Sequence, residues 1–116
     1  MAARKIGVAL SRDTVEAEIV DGKVWRIAVV SSRLRTADAI SVGSMIGRIR
    51  QLKEPRGLIG DGQLFVVSPQ HCGMSFRLSG PAPRGQSGNI DRAGLFRIPE
   101  MTVVSEILIF GCHRGR

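Results

Sequence analysis

Two dipeptides mirror one another in this chain, His71-Cys72 and Cys112-His113, with the cysteines forty positions apart. Imidazole and thiolate are zinc ligands, and four of them complete a tetrahedral site if the stretch around residue 71 meets the tail. Neither pair has the two-residue spacer of a structural zinc site, and neighbours in extended chain point to opposite sides, so no metal is expected. Cys72 gains nothing as a nucleophile from adjacent His71, because sequence neighbours seldom reach hydrogen-bond geometry and no orienting acid lies near in the sequence. The acids inside strand-like runs are Glu16, Glu18 and Glu106. A metal-dependent nuclease needs carboxylates converging on two metals, whereas Glu16 and Glu18 fit the solvent side of an amphipathic strand. Gly57-Leu-Ile-Gly-Asp-Gly lacks the Gly-Lys-Ser/Thr ending of a phosphate loop and precedes a strand, so it reads as a plain turn. No catalytic residue and no cofactor is expected, and the chain is expected not to be an enzyme.

Charge offers a different chemistry. The 116 residues carry a net charge of +7. Residues 23–56 hold eight Lys or Arg against two acids, while residues 1–22 hold three bases against four acids. Such a concentration suits phosphates, anionic lipid or an acidic partner. No aromatic residues interleave the bases as stacking platforms would, and with fourteen Arg to three Lys the excess also fits genome composition and simple solubility. At 43% hydrophobic residues the chain has enough apolar material for a core, built mostly from Val, Ile, Leu and Ala because aromatics are 4%. No apolar run approaches the roughly 20 residues of a membrane helix, and Met1-Ala-Ala-Arg-Lys leads directly into a strand-like run. No membrane insertion is expected. Two cysteines are too few for a disulfide framework, which favours a reducing, cytoplasmic setting.

The elements that must position these groups follow from periodicity. Ile6, Val8 and Leu10 alternate with Lys5, Gly7 and Ala9, predicting a strand over about 4–11. Val15, Ala17 and Ile19 alternate with Glu16 and Glu18 in a second, over 15–20. Asp21-Gly22 then forms a hairpin turn into a third, over 23–31. A two-residue loop sets Val20 opposite Lys23, Ile19 opposite Val24 and Glu18 opposite Trp25. Val15, Ala17, Ile19, Val24, Ala28 and Val30 then share a face, with Arg26 as the exception.

From Thr36 the period changes. Thr36 can cap a helix, Asp38 suits its first turn, and Val42, Met45, Ile46, Ile49 and Leu52 recur every three or four residues, predicting a helix over about 37–53. Arg48, Arg50 and Lys53 fall off that stripe, on a solvated or partner-facing side. Strands are expected over 63–68 and 74–78, a mobile loop over 79–94, which is rich in Gly, Pro and Ser, and a final strand over 101–110. The expectation is one domain, residues 1–116, of α/β class: a mixed sheet of five to six strands with one main helix.

The order strand, strand, strand, helix, then further strands resembles the opening of the ribonuclease-H-like fold shared by actin-like ATPases. Ile6-Gly-Val-Ala-Leu-Ser-Arg-Asp-Thr-Val-Glu-Ala-Glu-Ile-Val-Asp-Gly-Lys-Val-Trp-Arg is similar to the leading hairpin of actin-like pilus-assembly proteins of the PilM kind and of related type II secretion proteins. Leu64-Phe-Val-Val-Ser-Pro-Gln-His-Cys-Gly-Met-Ser-Phe-Arg-Leu-Ser-Gly-Pro-Ala-Pro resembles a later segment of the same proteins. The likeness covers about the first 80 residues. It implies an Asp-x-Gly for metal-bound nucleotide, where this chain has Ala9-Leu10-Ser11, lacking both acid and glycine. Ser11 and Thr14 can donate to a phosphate, but turn formation is the commoner job of such residues. Arg4-Lys-Ile-Gly-Val-Ala-Leu-Ser also resembles a strand of the YqgF-type Holliday-junction resolvases.

The function expected is therefore a non-enzymatic protein-binding assembly module, like a partial actin-like domain of a pilus or secretion machine. Arg48, Arg50 and Lys53 would form its contact face. Trp25 would join them if it projects with Glu16, Glu18 and Lys23 rather than filling space under a helix. The alternatives are a nucleic-acid-binding module using Arg33, Arg35, Arg48, Arg50, Lys53 and Arg56 on phosphates, and a degenerate nucleotide-binding half-domain. Self-association is left open.

Overall fold

In chain order the elements are β1 (Ala3–Leu10), β2 (Asp13–Val20), β3 (Lys23–Val29), α1 (Ile46–Arg50), β4 (Arg56–Gly60), β5 (Gln63–Val67), a 3-10 turn at Pro69–His71, β6 (Met74–Leu78), β7 (Asn89–Ile90), α2 (Arg92–Leu95) and β8 (Val104–Ile109). A computed structural model describes the backbone of residues 3–10, 13–80 and 88–112, with side chains from Val15 onward. The strands form one sheet in the order β1-β2-β3-β8-β6-β5-β4-β7, and every neighbouring pair is antiparallel.

Two Asp-Gly turns set much of the register. Asp21 and Gly22 (φ 53° and 76°) join β2 to β3, and Asp61 and Gly62 (φ 51° and 74°) join β4 to β5. Positive φ at both central positions is the geometry whose twist matches that of flanking antiparallel strands. The first turn pairs Val20 with Lys23 and Ile19 with Val24 as predicted, but Glu18 then pairs with Arg26, leaving Trp25 as an extra residue in a β-bulge. The bulge shifts the phase of β3. Ile27 and Val29 lie on the face of Ala17 and Val15, Ala28 lies with Glu16 on the other, and Val30 is exposed. The sequence expectation for Ala28, Val30 and the anomalous Arg26 is corrected by that single residue.

The core lies on one face. A row runs across seven strands through Val15, Val29, Ile107, Phe76, Val66, Gly57 and Ile90, and its side chains join Ile46 and Ile49 of α1 and Leu95 of α2 in one buried cluster. Removing each such aliphatic or aromatic side chain from water contributes about 1.5–3 kcal/mol. Gly57 interrupts the row for a steric reason: a Cβ there would lie 3.0 Å from Ile90 Cβ and 3.3 Å from Leu95 Cδ2.

The ribonuclease-H-like expectation is therefore overturned. In place of a mixed sheet with one main helix, the chain forms an antiparallel sheet of eight strands, with α1 and α2 of five and four residues. The helix predicted over 37–53 is confined to α1. Ala39 (φ 68°) and Gly43 (φ 98°) take left-handed backbone that interrupts a helix. Main-chain groups before α1 bond β8 and its approach instead: Gly43 N–H to Val104 O, Val104 N–H to Ser44 O and Ile46 N–H to Thr102 O. Of the apolar stripe, Ile46, Ile49 and Leu52 are buried, but Met45 is half exposed.

Two further expectations change. Gly57-Leu-Ile-Gly is not a turn but most of β4. Within 79–94, residues 81–87 fall outside the described part, while β7 and α2 are built from the rest; Asp91 caps α2 by accepting a hydrogen bond from Gly94 N–H at 2.9 Å. Among the described residues, no helix is long and apolar enough to cross a membrane.

Candidate functional site: a groove across the open face of the sheet

Pleating sends alternate side chains to the face opposite α1 and α2. There β2 and β3 on one side and β4 and β5 on the other, with β6 and β8 between them, line a groove of about 1050 Å³. Two cross-strand rows run across it from opposite walls. One runs Leu58, Phe65, Arg77, Glu106, and the other Glu16, Ala28, Leu108, Ser75.

Charges inside the groove are partly paired. Arg26 Nε lies 2.8 Å from Glu18 Oε1 and Arg77 Nη1 lies 3.4 Å from Glu106 Oε1. Trp25, brought to this wall by the bulge, donates its indole N–H to Glu18, meets the ring of Phe110 edge-on at a centroid distance of 5.4 Å, and lies under the Arg26 guanidinium at 5.6 Å. Of the placements considered for Trp25, the one on the face of Glu18 is realised. Its side chain keeps 46% exposure, so an aromatic surface faces solvent among charges.

One end of the groove is closed covalently. Cys72 and Cys112 form a disulfide with Cα atoms 5.2 Å apart, so the turn and the tail do meet, as the mirrored pairs required for zinc, but the sulfurs bond each other. A disulfide sulfur is not a thiolate, which removes Cys72 as nucleophile or ligand. His113 lies outside the described residues. Backbones close tightly here: a Cβ on Gly73 (φ 78°) would fall 2.6 Å from Gly111 C, and Phe110 N–H donates to Gly73 O at 2.7 Å.

His71 borders this end. Its Nε2 lies 2.9 Å from Asp38 Oδ2, the atom that also accepts from Gln70 Nε2 at 3.0 Å, and Thr36 Oγ1 donates to Asp38 Oδ1 at 2.5 Å. The Thr36 hydrogen bond chiefly, then His71, holds the Asp38 carboxyl below its ordinary value against partial desolvation. The orienting acid for His71 that the local sequence lacks is thus supplied by a distant loop. Thr36 and Asp38, expected to open a long helix, instead tie that loop to the 3-10 turn.

The predicted basic residues are dispersed. Arg50 is 6% exposed, with Nε donating to Leu95 O (3.1 Å), Nη2 to Ile98 O (2.6 Å) and Nη1 to Glu100 Oε1 (2.5 Å), and its guanidinium over Phe96. Its expected solvated, partner-facing position is corrected: it clamps the segment around α2 to α1 by donating to carbonyls at the end of that short helix. Arg48 is exposed and donates to Asp38 O at 2.6 Å. Lys53, Arg33 and Arg35 are exposed outside the groove lining, and Arg56 lies in it. Ser11 lies outside the described residues, and the Thr14 side chain is not described. Sequence reading missed the groove as a site. Its available signal was the alternation of Phe65, Arg77 and Glu106 with apolar neighbours, and strand order was needed to assemble it.

No family model and no curated protein matches this chain. Among solved structures it resembles the uncharacterized protein YfeY from Escherichia coli, with a TM-score of 0.56 at 16% identity, covering 95% of this chain and 82% of that one. That likeness is one of fold. Together with the antiparallel strand order it overturns the resemblance to actin-like pilus-assembly and secretion proteins, as well as the likeness to the resolvases.

Proposed function

We propose that this protein is a non-catalytic protein-binding module whose contact surface is the groove. The observation that supports this reading most is the half-exposed Trp25 and Phe110, packed edge-on beside the Glu18–Arg26 ion pair. Aromatic and arginine side chains are the groups that dominate binding energy at protein interfaces. Of the contact residues expected from sequence, Trp25 belongs to this surface. Arg50 serves the core, and Arg48 and Lys53 stand apart. The disulfide favours work in an oxidising compartment over the cytoplasm.

The test compares captured partners of the wild type with those of Phe65→Asp and of a paired Arg48→Ala, Lys53→Ala variant. A partner retained by the paired variant and lost with Phe65→Asp, whose fold is checked by circular dichroism, supports the groove. A partner lost with the paired variant alone overturns it. Titration with duplex and single-stranded nucleic acid at two salt concentrations supplies the other arm: tight binding that falls steeply with salt would replace this reading with the nucleic-acid one.

A further inference from the structure

The groove has a charge opposite to that of the chain around it. Five of the ten acids line it against three arginines, although the whole chain carries +7. Two of those acids neutralise Arg26 and Arg77. Glu16, Glu54 and Asp61 are left with Arg56, all four exposed, and among the described side chains none of the four makes an ion pair. Their placement matters as much as their number. Glu16 belongs to β2, in one wall, whereas Glu54 precedes β4 and Asp61 follows it, in the other. Leu108 and Phe65 add apolar surface to the same lining, with Trp25 and Phe110 beside them.

Resting on the reading of the groove as a binding site, we infer that its ligand is an extended protein segment carrying lysine or arginine side chains alternating with apolar ones. The molecule displays the recognition mode internally: Arg26 sets its guanidinium over the Trp25 ring while its Nε bonds Glu18. An incoming cation finds the same two elements, a carboxylate and an aromatic face, and gains both charge-assisted hydrogen bonding and cation–π attraction. Alternation suits the site because an extended strand turns every second side chain to one side. Apolar residues then meet Leu108 and Phe65, while the long cationic side chains on the other side of the strand bend back to the acids on the walls. An acidic segment meets like charge on both walls.

The test uses synthetic ten-residue peptides alternating Arg with Leu, Glu with Leu, and Arg with Ser. They are titrated into the disulfide-intact protein, with the single tryptophan as fluorescent reporter and calorimetry beside it. The Arg–Leu peptide is expected to bind, the Arg–Ser peptide about tenfold more weakly, and the Glu–Leu peptide not at all. Raising salt from about 50 to 300 mM should weaken Arg–Leu binding. A Glu16→Gln, Asp61→Asn variant should lose affinity about tenfold with an unchanged unfolding midpoint, while an Arg33→Ala, Arg35→Ala variant should bind as wild type does. Equal binding of the Glu–Leu peptide, or unchanged affinity in the carboxamide variant, overturns the ligand class while leaving the groove as a site. Loss of no peptide's binding in Phe65→Asp overturns the groove reading itself. Dimerisation abolished by that substitution identifies a second copy of this chain as the occupant and overturns the inference.

Discussion

Phe76 and Arg77 are neighbours in β6, yet they belong to different kinds of surface. Phe76 lies in a closed apolar row from Val15 to Ile90, whereas Arg77 stands in the open groove between Phe65 and Glu106. The pleat alone separates them. On the core face a lost side chain leaves a cavity whose walls cannot fully relax, and on the groove face water fills the space. Stability and recognition are thus assigned to alternate residues of the same strands.

The sharpest way to break this comparison is to truncate a phenylalanine on each face. Phe76→Ala should destabilise the fold by about 3–5 kcal/mol and Phe65→Ala by less than half of that, measured by urea unfolding. Equal losses would mean that the groove face is part of the core. Next in size is the disulfide, which closes a loop with a sequence separation of 40. Reduction, or Cys72→Ser with Cys112→Ser, should cost about 2–4 kcal/mol of unfolding free energy. A thiol titration of the oxidised, unfolded protein should find no free cysteine among the two.

The clamp at Arg50 sharpens the contrast from the polar side. Arg50→Ala leaves the carbonyls of Leu95 and Ile98 without that donor and should cost about 1.5–3 kcal/mol, whereas Arg48→Ala, at an exposed position, should cost less than about 1 kcal/mol. In the groove, Trp25→Ala should change stability by less than about 1 kcal/mol and abolish the peptide-dependent calorimetric signal. Smallest is the acid response of Asp38. Its depressed carboxyl contributes stability that is present above the ordinary carboxylate range and lost as pH falls through the lower folded value. Asp38→Asn should therefore flatten the stability profile on the acid side, as seen in unfolding midpoints from pH 2 to 6, a range chosen to span about the carboxylate values.

How much of this was legible in the sequence depends on the range of the interactions. The hairpin at Asp21-Gly22 and the strands ending at Val67, Leu78 and Ile109 follow from local alternation and turn chemistry. The same turn signal occurs at Asp61-Gly62, between Leu58-Ile59 and Leu64, and marks the β4–β5 hairpin as the first marks β2–β3. The helix expected over 37–53 failed because its periodicity is real but its main-chain groups find partners in β8, far along the chain. The pairing of β3 with β8, which makes the sheet antiparallel throughout, is likewise non-local. For the candidate site, residue type alone suggests Trp25 as a contact and does not place it, and a charged residue off an apolar stripe such as Arg50 gives no hint that carbonyls 45 and 48 positions along the chain will enclose it. The mirrored dipeptides single out Cys72 and Cys112 as a pair, but only the fold brings them within bonding distance.

The extra residue at Trp25 also bears on how this chain should be matched to others. A relative with an uninterrupted third strand would lack one residue between Val24 and Arg26, so a correct alignment must open a one-residue gap there. Ungapped comparison would set lining against interior over the whole of the preceding ribbon, and would hide kinship that superposition of backbones can reveal.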